Sequence, residues 1–430
     1  MVLASNGIDR KQHNCATIRI PFDLSNSPAE IPWLAIRPAP ITLRGDVVTT
    51  RPVSFLESAE AQMDDLLWRV CEELQLSPTR YQQAVDRYEA VCRWLEAEGS
   101  VVAQYRPSMY AQGSMRIGTT VKPFGHEEHD LDFVCEFNVS TGVFESPLQL
   151  LKLVIARLGQ NDAYARLLEV KNRCVRLNYA NEFHMDILPA CPDAANGNSC
   201  LVVPDRESRQ WKPSNPKGYA DWFEERCELV LAVMAESARL LAKAEPIPSQ
   251  EATWEKATLK RAVQLLKRWR DLRYEHQKEL APISMVLTTL AAQAYRGQLS
   301  VSEALTGILN GIVALIASSK PRIYVLNPAN PLEDLSERWE DPVQYGAFVT
   351  GIRELNRVWT NVLAMGGVHN AAKLLDSLFG EPVKAATSKQ ARQLESMRER
   401  SALRVAPAGL ITAAPAIGVA MRANTFHGKK

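Results

Sequence analysis

The run Phe183-His184-Met185-Asp186-Ile187-Leu188 constrains the fold more than any other stretch of the chain. It reads as a strand, and Asp186 is the only carboxylate in an otherwise apolar segment. An ionised carboxylate buried without a partner is strongly destabilising, so a fold that keeps this strand must set a cation beside it. Upstream, Leu131 to Phe137 (LDFVCEF) reads as a second strand, entered through Asp130-x-Asp132. Alternation places Asp130 and Asp132 on one face, roughly 6.6 Å apart along the strand. Two carboxylates so spaced can share divalent cations, because hard ions such as Mg²⁺ bind through one or two carboxylates together with substrate phosphates. Asp186 offers the third acid of a two-metal site and a natural proton acceptor.

An Asp-x-Asp alone is ordinarily an exposed turn or a strand edge. What gives this one weight is Gly113-Ser114, some sixteen residues before it. A glycine lets the backbone approach a phosphate closely, and Ser114 offers a hydroxyl and an N–H at what reads as a helix start. Thr119 and Lys122 lie near enough in sequence to add polar contacts.

QGSMRIGTTVKPFGHEEHDLDF, followed by DILPACPD, resembles the polymerase-β-type nucleotidyltransferases. It is similar in particular to the bacterial relatives of cGAS and DncV, the CD-NTases, which make cyclic oligonucleotides in CBASS anti-phage systems. The resemblance continues through W-x-x-S-N-P at Trp211 to Pro216, Asp221-Trp222-Phe223, VQLLKRWRD, PISMVLTTLAA and the ending NTFHG, and covers roughly residues 62–428. It implies an α+β fold, with a mixed-sheet nucleotidyltransferase lobe, a helical C-terminal lobe and the active site in the cleft between them.

By the same resemblance, Asp130, Asp132 and Asp186 are the catalytic, metal-binding acids, and Gly113 and Ser114 hold phosphate. Lys267 and Ser284 match the positions that reach the triphosphate. Lys260 stays an alternative to Lys267, because residues i and i+7 share a helix face. The implied cofactor is Mg²⁺, with Mn²⁺ as a substitute, and the implied substrates are NTPs. The implied product is a cyclic di- or trinucleotide that acts on a downstream cyclic-nucleotide-activated effector. Some members of the resembling family are joined through a C-terminal glycine by a ubiquitin-like conjugation machinery. Here Lys429-Lys430 follow Gly428, so that route requires their removal. The rival readings are a linear-oligonucleotide or macromolecule-modifying nucleotidyltransferase and a nucleotide-sensing protein of the same fold without turnover.

Four segments are expected. Residues 1–57 hold six prolines and no sustained period and read as an irregular extension. Residues 58–218 are the catalytic lobe, with Ser77-Pro78 as N-cap and first-turn proline of a helix ending near Gly99, and a helix over Ser146 to Leu158. CVRLNYANEFHMDILPA gives two strands joined at Ala180-Asn181. Residues 219–386 are helical. Residues 387–430, with eight Lys/Arg against two Glu, form a basic tail, flexible or docked.

With 50 basic and 49 acidic residues the formal net charge is +1, so no global field recruits nucleic acid or an anionic membrane. Eight cysteines without a C-x-x-C pair suit a reducing cytosol. Neither a signal sequence nor a membrane span is expected, which points to a cytoplasmic protein.

Three bland readings accompany these. His126-Glu127-Glu128-His129 lacks the H-E-x-x-H spacing and reads as a solvated loop. The Lys260 to Arg273 charge run is the wet side of a helix, apart from Lys267. Trp211 and Tyr219 anchor domains rather than stack on a base.

Overall fold

The computed structural model describes residues 58–125, 129–180, 182–197, 199–229, 256–365 and 368–400, together with the backbone of three short strands beyond them. The expectations for residues 1–57, most of the HEEH loop, the helical run after 229 and the NTFHG ending lie outside those residues.

Side-chain caps open the first helices where the sequence places them. Ser58 Oγ accepts from Ala61 N at 3.0 Å ahead of α1 (Ala59–Glu73). Ser77 Oγ accepts from Arg80 N at 3.2 Å ahead of α2 (Pro78–Glu96), with Pro78 in the first turn. Such a cap satisfies an amide that has no partner inside the helix. After β1 (Pro107–Ala111), a single turn of helix, α3 (Gly113–Arg116), leads to β2 (His129–Phe137). The predicted helix follows as α4 (Pro147–Gly159), and then the short α5 (Asp162–Ala165).

Next come β3 (Leu168–Val170), β4 (Val175–Tyr179), β5 (Phe183–Pro192), β6 (Leu201–Pro204) and β7 (Trp211–Ser214). These seven strands make one mixed sheet in the order β1-β2-β5-β4-β3, with β6 and β7 continuing from the far end of β5. The pair β2–β5 is parallel, and every other pair is antiparallel. The side chains of Leu131, Phe133, Cys135, Met185 and Ile187 enter a core shared with α2 and α4, where Tyr88 stacks on Phe133 at 4.3 Å. Alternation therefore turns Asp130, Asp132 and Asp186 to the opposite face.

A second core is helical. It is built from α6 (Pro216–Glu228), α7 (Thr258–Arg273), α8 (Ser284–Ala294) and α9 (Val301–Ser318). A hairpin of β8 (Leu326–Asn327) and β9 (Asn330–Asp334) precedes α10 (Pro342–Ala364), α11 (Val368–Phe379) and α12 (Glu381–Glu399). The short strands β10 (Leu403–Val405), β11 (Ile411–Ala413) and β12 (Val419–Ala420) pair as a separate sheet.

Packing departs from the sequence boundaries in three places. Helix α1, expected in the catalytic lobe, sends Met63, Leu66, Leu67 and Val70 into the helical core. The boundary at residue 219 falls inside α6, and the one at 387 inside α12. The basic run thus begins as helix: Gln390 Nε2 donates to Asp65 Oδ2 at 2.9 Å and to Gln62 O at 3.2 Å, docking α12 on α1.

Helix α9 is the one helix among the described residues long and apolar enough to cross a membrane. Its Ala304, Leu305, Ile308, Leu309 and Ile312 are buried against neighbouring helices, as in a core helix. Among the described residues, seven cysteines are free thiols, six of them buried.

Candidate active site

The three acids meet because of strand register. In the parallel β2–β5 pair, Asp132 stands beside Asp186, and Asp130 lies two residues earlier, opposite His184. Asp130 is 56% exposed and Asp186 15%. Asp132 feels desolvation first and then its two carboxylate neighbours, and together they push its carboxyl up to about 7. That is negative charge which the chain itself does not fully compensate.

The Gly-Ser turn leans directly on this acid. Gln112 N donates to Asp132 O at 2.8 Å, tying the turn to the strand. Gly113 has φ +59°, and a β-carbon on it would fall 2.6 Å from Asp132 Oδ2. Only glycine meets both the left-handed backbone and the close approach. Ser114 follows in α3, its carbonyl accepting from Thr119 N at 3.0 Å.

Lys267 and Lys260 are separated by their partners. The buried Lys267 Nζ donates to Thr119 Oγ1 at 2.9 Å and to Thr119 O at 3.1 Å, linking α7 to the chain just after the Gly-Ser turn. Burial first, and then the Arg270 charge, lower its ammonium to about 7, while Asp132 acts in the opposite sense. Lys260 instead pairs with Glu224 of α6 at 3.0 Å, two turns away along the helix. Ser284, the first residue of α8, accepts a hydrogen bond from Arg270 Nη1, so it is joined to the basic face of α7 rather than to the acids.

Thr119 is fully buried and serves Lys267, and Lys122 is exposed. The buried Tyr219 bonds its hydroxyl to Thr289 Oγ1 at 2.9 Å, and Trp211 packs against the sheet core.

One residue of the site went unnoticed in the sequence. Arg176 on β4 stands opposite Asp186. Its Nε donates to Asp186 Oδ1 at 2.7 Å, and its Nη2 donates to Asp186 Oδ2 at 2.8 Å and to Asp130 Oδ1 at 3.2 Å. The signal was present: closing the hairpin about the Tyr179–Phe183 pair puts residue 176 across from 186.

Among the described residues, no three carboxylate, imidazole or thiol groups already converge at metal-binding distance. Two of the acids are drawn to the Arg176 guanidinium instead. The donors nevertheless fit a divalent cation: three carboxylates on adjacent strands form an all-oxygen set, and the raised Asp132 carboxyl marks unmet negative charge.

The Second Messenger Oligonucleotide or Dinucleotide Synthetase (SMODS) domain matches residues 62–227, which span all three acids and the Gly-Ser turn. The c-di-GMP synthase of Roseivirga ehrenbergii is 34% identical over 378 residues, covering 86% of this chain and 98% of that protein. The chain belongs to the CD-NTase family.

Another family member, the cyclic dinucleotide synthase CdnG of Bradyrhizobium diazoefficiens, is 29% identical over 401 residues, covering 86% of this chain and 95% of that one. The structure of the CdnG from that organism in complex with GTP aligns with a TM-score of 0.62 at 24% identity, over 77% of this chain and 99% of that one. CD-NTases are nucleotidyltransferases that produce cyclic dinucleotide second messengers, and the mixed-sheet lobe with its helical partner is their fold.

Proposed function

We propose that this CD-NTase joins nucleoside triphosphates into a cyclic dinucleotide, with GTP as a substrate, through the site formed by Asp130, Asp132 and Asp186. The observation that carries the reading is the register that sets Asp132 beside Asp186 with Gly113 against Asp132. Any phosphate received by the Gly-Ser backbone then lies next to the acids. The names of the Roseivirga and Bradyrhizobium relatives support the cyclic dinucleotide, and the first supports guanine.

In this reading Gly113 and Ser114 hold the donor triphosphate, and Lys267 with the Arg270–Ser284 pair balances its charge from the helical side. The three acids would hold Mg²⁺ or Mn²⁺, which supplies Lewis-acid stabilisation of the reacting phosphate and lowers the pKa of the attacking hydroxyl. Asp186 accepts the proton of a ribose hydroxyl on the second nucleotide. That oxygen bonds to the donor α-phosphorus as the bond from the α-phosphorus to the bridging oxygen breaks, and pyrophosphate leaves. A second such step closes the ring. Positioning and charge neutralisation carry the chemistry, as in phosphoryl transfer generally.

A cytosolic enzyme serving anti-phage defence through a downstream effector fits this reading, with conjugation through Gly428 once the two lysines are removed. The test is pyrophosphate release from each NTP with Mg²⁺ or Mn²⁺. We expect release with GTP and its loss in the Asp130→Asn/Asp132→Asn protein. Equal release by both proteins overturns the assignment.

A further inference from the structure

We propose that Arg176 is a positioning residue of the acid cluster: it holds Asp186 and Asp130 on its own guanidinium while the site is empty, and releases Asp130 when a cation arrives. The inference rests on the functional reading above, because it takes the three acids as the metal ligands.

Three carboxylates on one sheet face repel each other, and without a counter-charge they would spread or protonate. Arg176 supplies that counter-charge from the neighbouring strand. Its guanidinium engages both oxygens of Asp186 at 2.7 and 2.8 Å, the planar two-point contact that arginine makes and lysine does not. Both partners are largely covered, at 19% and 15% exposed, so the pair is shielded from water and held.

The contact to Asp130 has a different character. It is a single bond at 3.2 Å, donated by the same Nη2 that already serves Asp186 Oδ2, and Asp130 is 56% exposed. It is the weaker and more accessible link, and the one a competing cation displaces first. The fork's three hydrogen bonds go to Asp186 and Asp130, so Asp132, beside Gly113, lies outside them.

Two consequences follow. In the metal-free protein, Arg176 orders the acids and stabilises the fold. In the metal-bound protein, its positive charge opposes the cation, since like charges a few ångströms apart repel. One residue thus strengthens the empty site and weakens cation affinity, so that metal binding is left to the combined site of acids and triphosphate.

The test is Mn²⁺ binding to the full chain without nucleotide, followed by electron paramagnetic resonance, with metal-free thermal melting alongside. Wild type, Arg176→Met, Arg176→Lys and Asp132→Asn are compared. Arg176→Met should bind Mn²⁺ on the order of tenfold more tightly than wild type and melt lower without metal. Arg176→Lys keeps the charge but loses the fork, so it should hold wild-type Mn²⁺ affinity within about twofold and still melt lower without metal. It keeps the test open should Arg176→Met fail to fold.

Unchanged or weaker Mn²⁺ binding by Arg176→Met overturns the proposal, as does an Arg176→Lys protein that melts like wild type. The Asp132→Asn arm stands apart: full Mn²⁺ binding there would overturn the metal-site reading itself, whatever the arginine variants do.

Discussion

Gly113 and Asp132 are in contact across a gap that admits no side chain: a β-carbon at 113 would lie 2.6 Å from Asp132 Oδ2, and the glycine's φ is +59°. The phosphate-side turn and the acid at the centre of the cluster are thereby built as one unit. Gly113→Ala should lower kcat on the order of 100-fold, since a displacement of about an ångström at a reacting centre has that effect. The stability loss should be only about 1–2 kcal/mol, the left-handed backbone penalty. Steady-state kinetics beside urea unfolding check this, and a variant with full kcat contradicts it.

Lys267 should act on substrate binding and Lys260 should not. Replacing Lys267 with Met removes the buried ammonium that links α7 to the region of the turn, and KM for the triphosphate should rise at least about tenfold, the scale of a lost charge-assisted hydrogen bond. Lys260→Ala breaks the contact with Glu224 and should leave KM unchanged. Equal effects on KM would return Lys260 to the site.

The same lysine gives a pH signature. Its folded-state pKa is lowered from 10.5 to about 7, so between those values the unfolded chain binds more protons than the folded one. Stability therefore rises with pH across that window. Lys267→Met lacks this dependence, so its advantage in stability over wild type should be greatest at pH 7 and shrink towards pH 10. Urea unfolding of both proteins at pH 7 and pH 9.5 reads the difference; a constant gap would show that the ammonium is not buried as described.

The pairing of Asp186 with Arg176 marks where sequence reading stopped. The strand carrying Asp130 and Asp132, the Ser77-Pro78 helix start, the helix after Ser146 and the strand pair Val175–Tyr179 and Phe183–Pro192 were legible because each rests on local periodicity or capping. Arg176 was not, because its place between Asp186 and Asp130 also needs the β2–β5 pairing, a non-local quantity. The partner of helix α1 was not legible for a similar reason: an amphipathic stripe shows that a face is buried but not against what. The tail boundary failed because composition at residue 387 changes in charge while α12 continues without a break.

Asp65 ties that helix down. It is fully buried and accepts from Arg69 Nε at 2.8 Å and from Gln390 Nε2 at 2.9 Å. Asp65→Ala leaves the arginine charge buried beside an unfilled amide and should cost about 3 kcal/mol. Denaturant unfolding measures it, and a loss under about 1 kcal/mol would mean that the Asp65 carboxylate does not hold α12 in place.

Tyr219→Phe separates packing from recognition. The hydroxyl bonds to Thr289 inside the helical core, so its removal should cost about 1 kcal/mol and leave the choice of NTP unchanged. A shift in base preference would place the ring at the nucleotide.

The central claim is that Asp130, Asp132 and Asp186 together make a cyclic dinucleotide. The most direct measurement incubates the purified protein with GTP and Mg²⁺ or Mn²⁺, treats the products with phosphatase and weighs what survives by mass spectrometry, beside the Asp132→Asn protein. A phosphatase-resistant guanine dinucleotide from the wild type and none from the variant is the predicted result. Products from the wild type that all lose their terminal phosphates, or a resistant product that persists in the variant, would contradict the account.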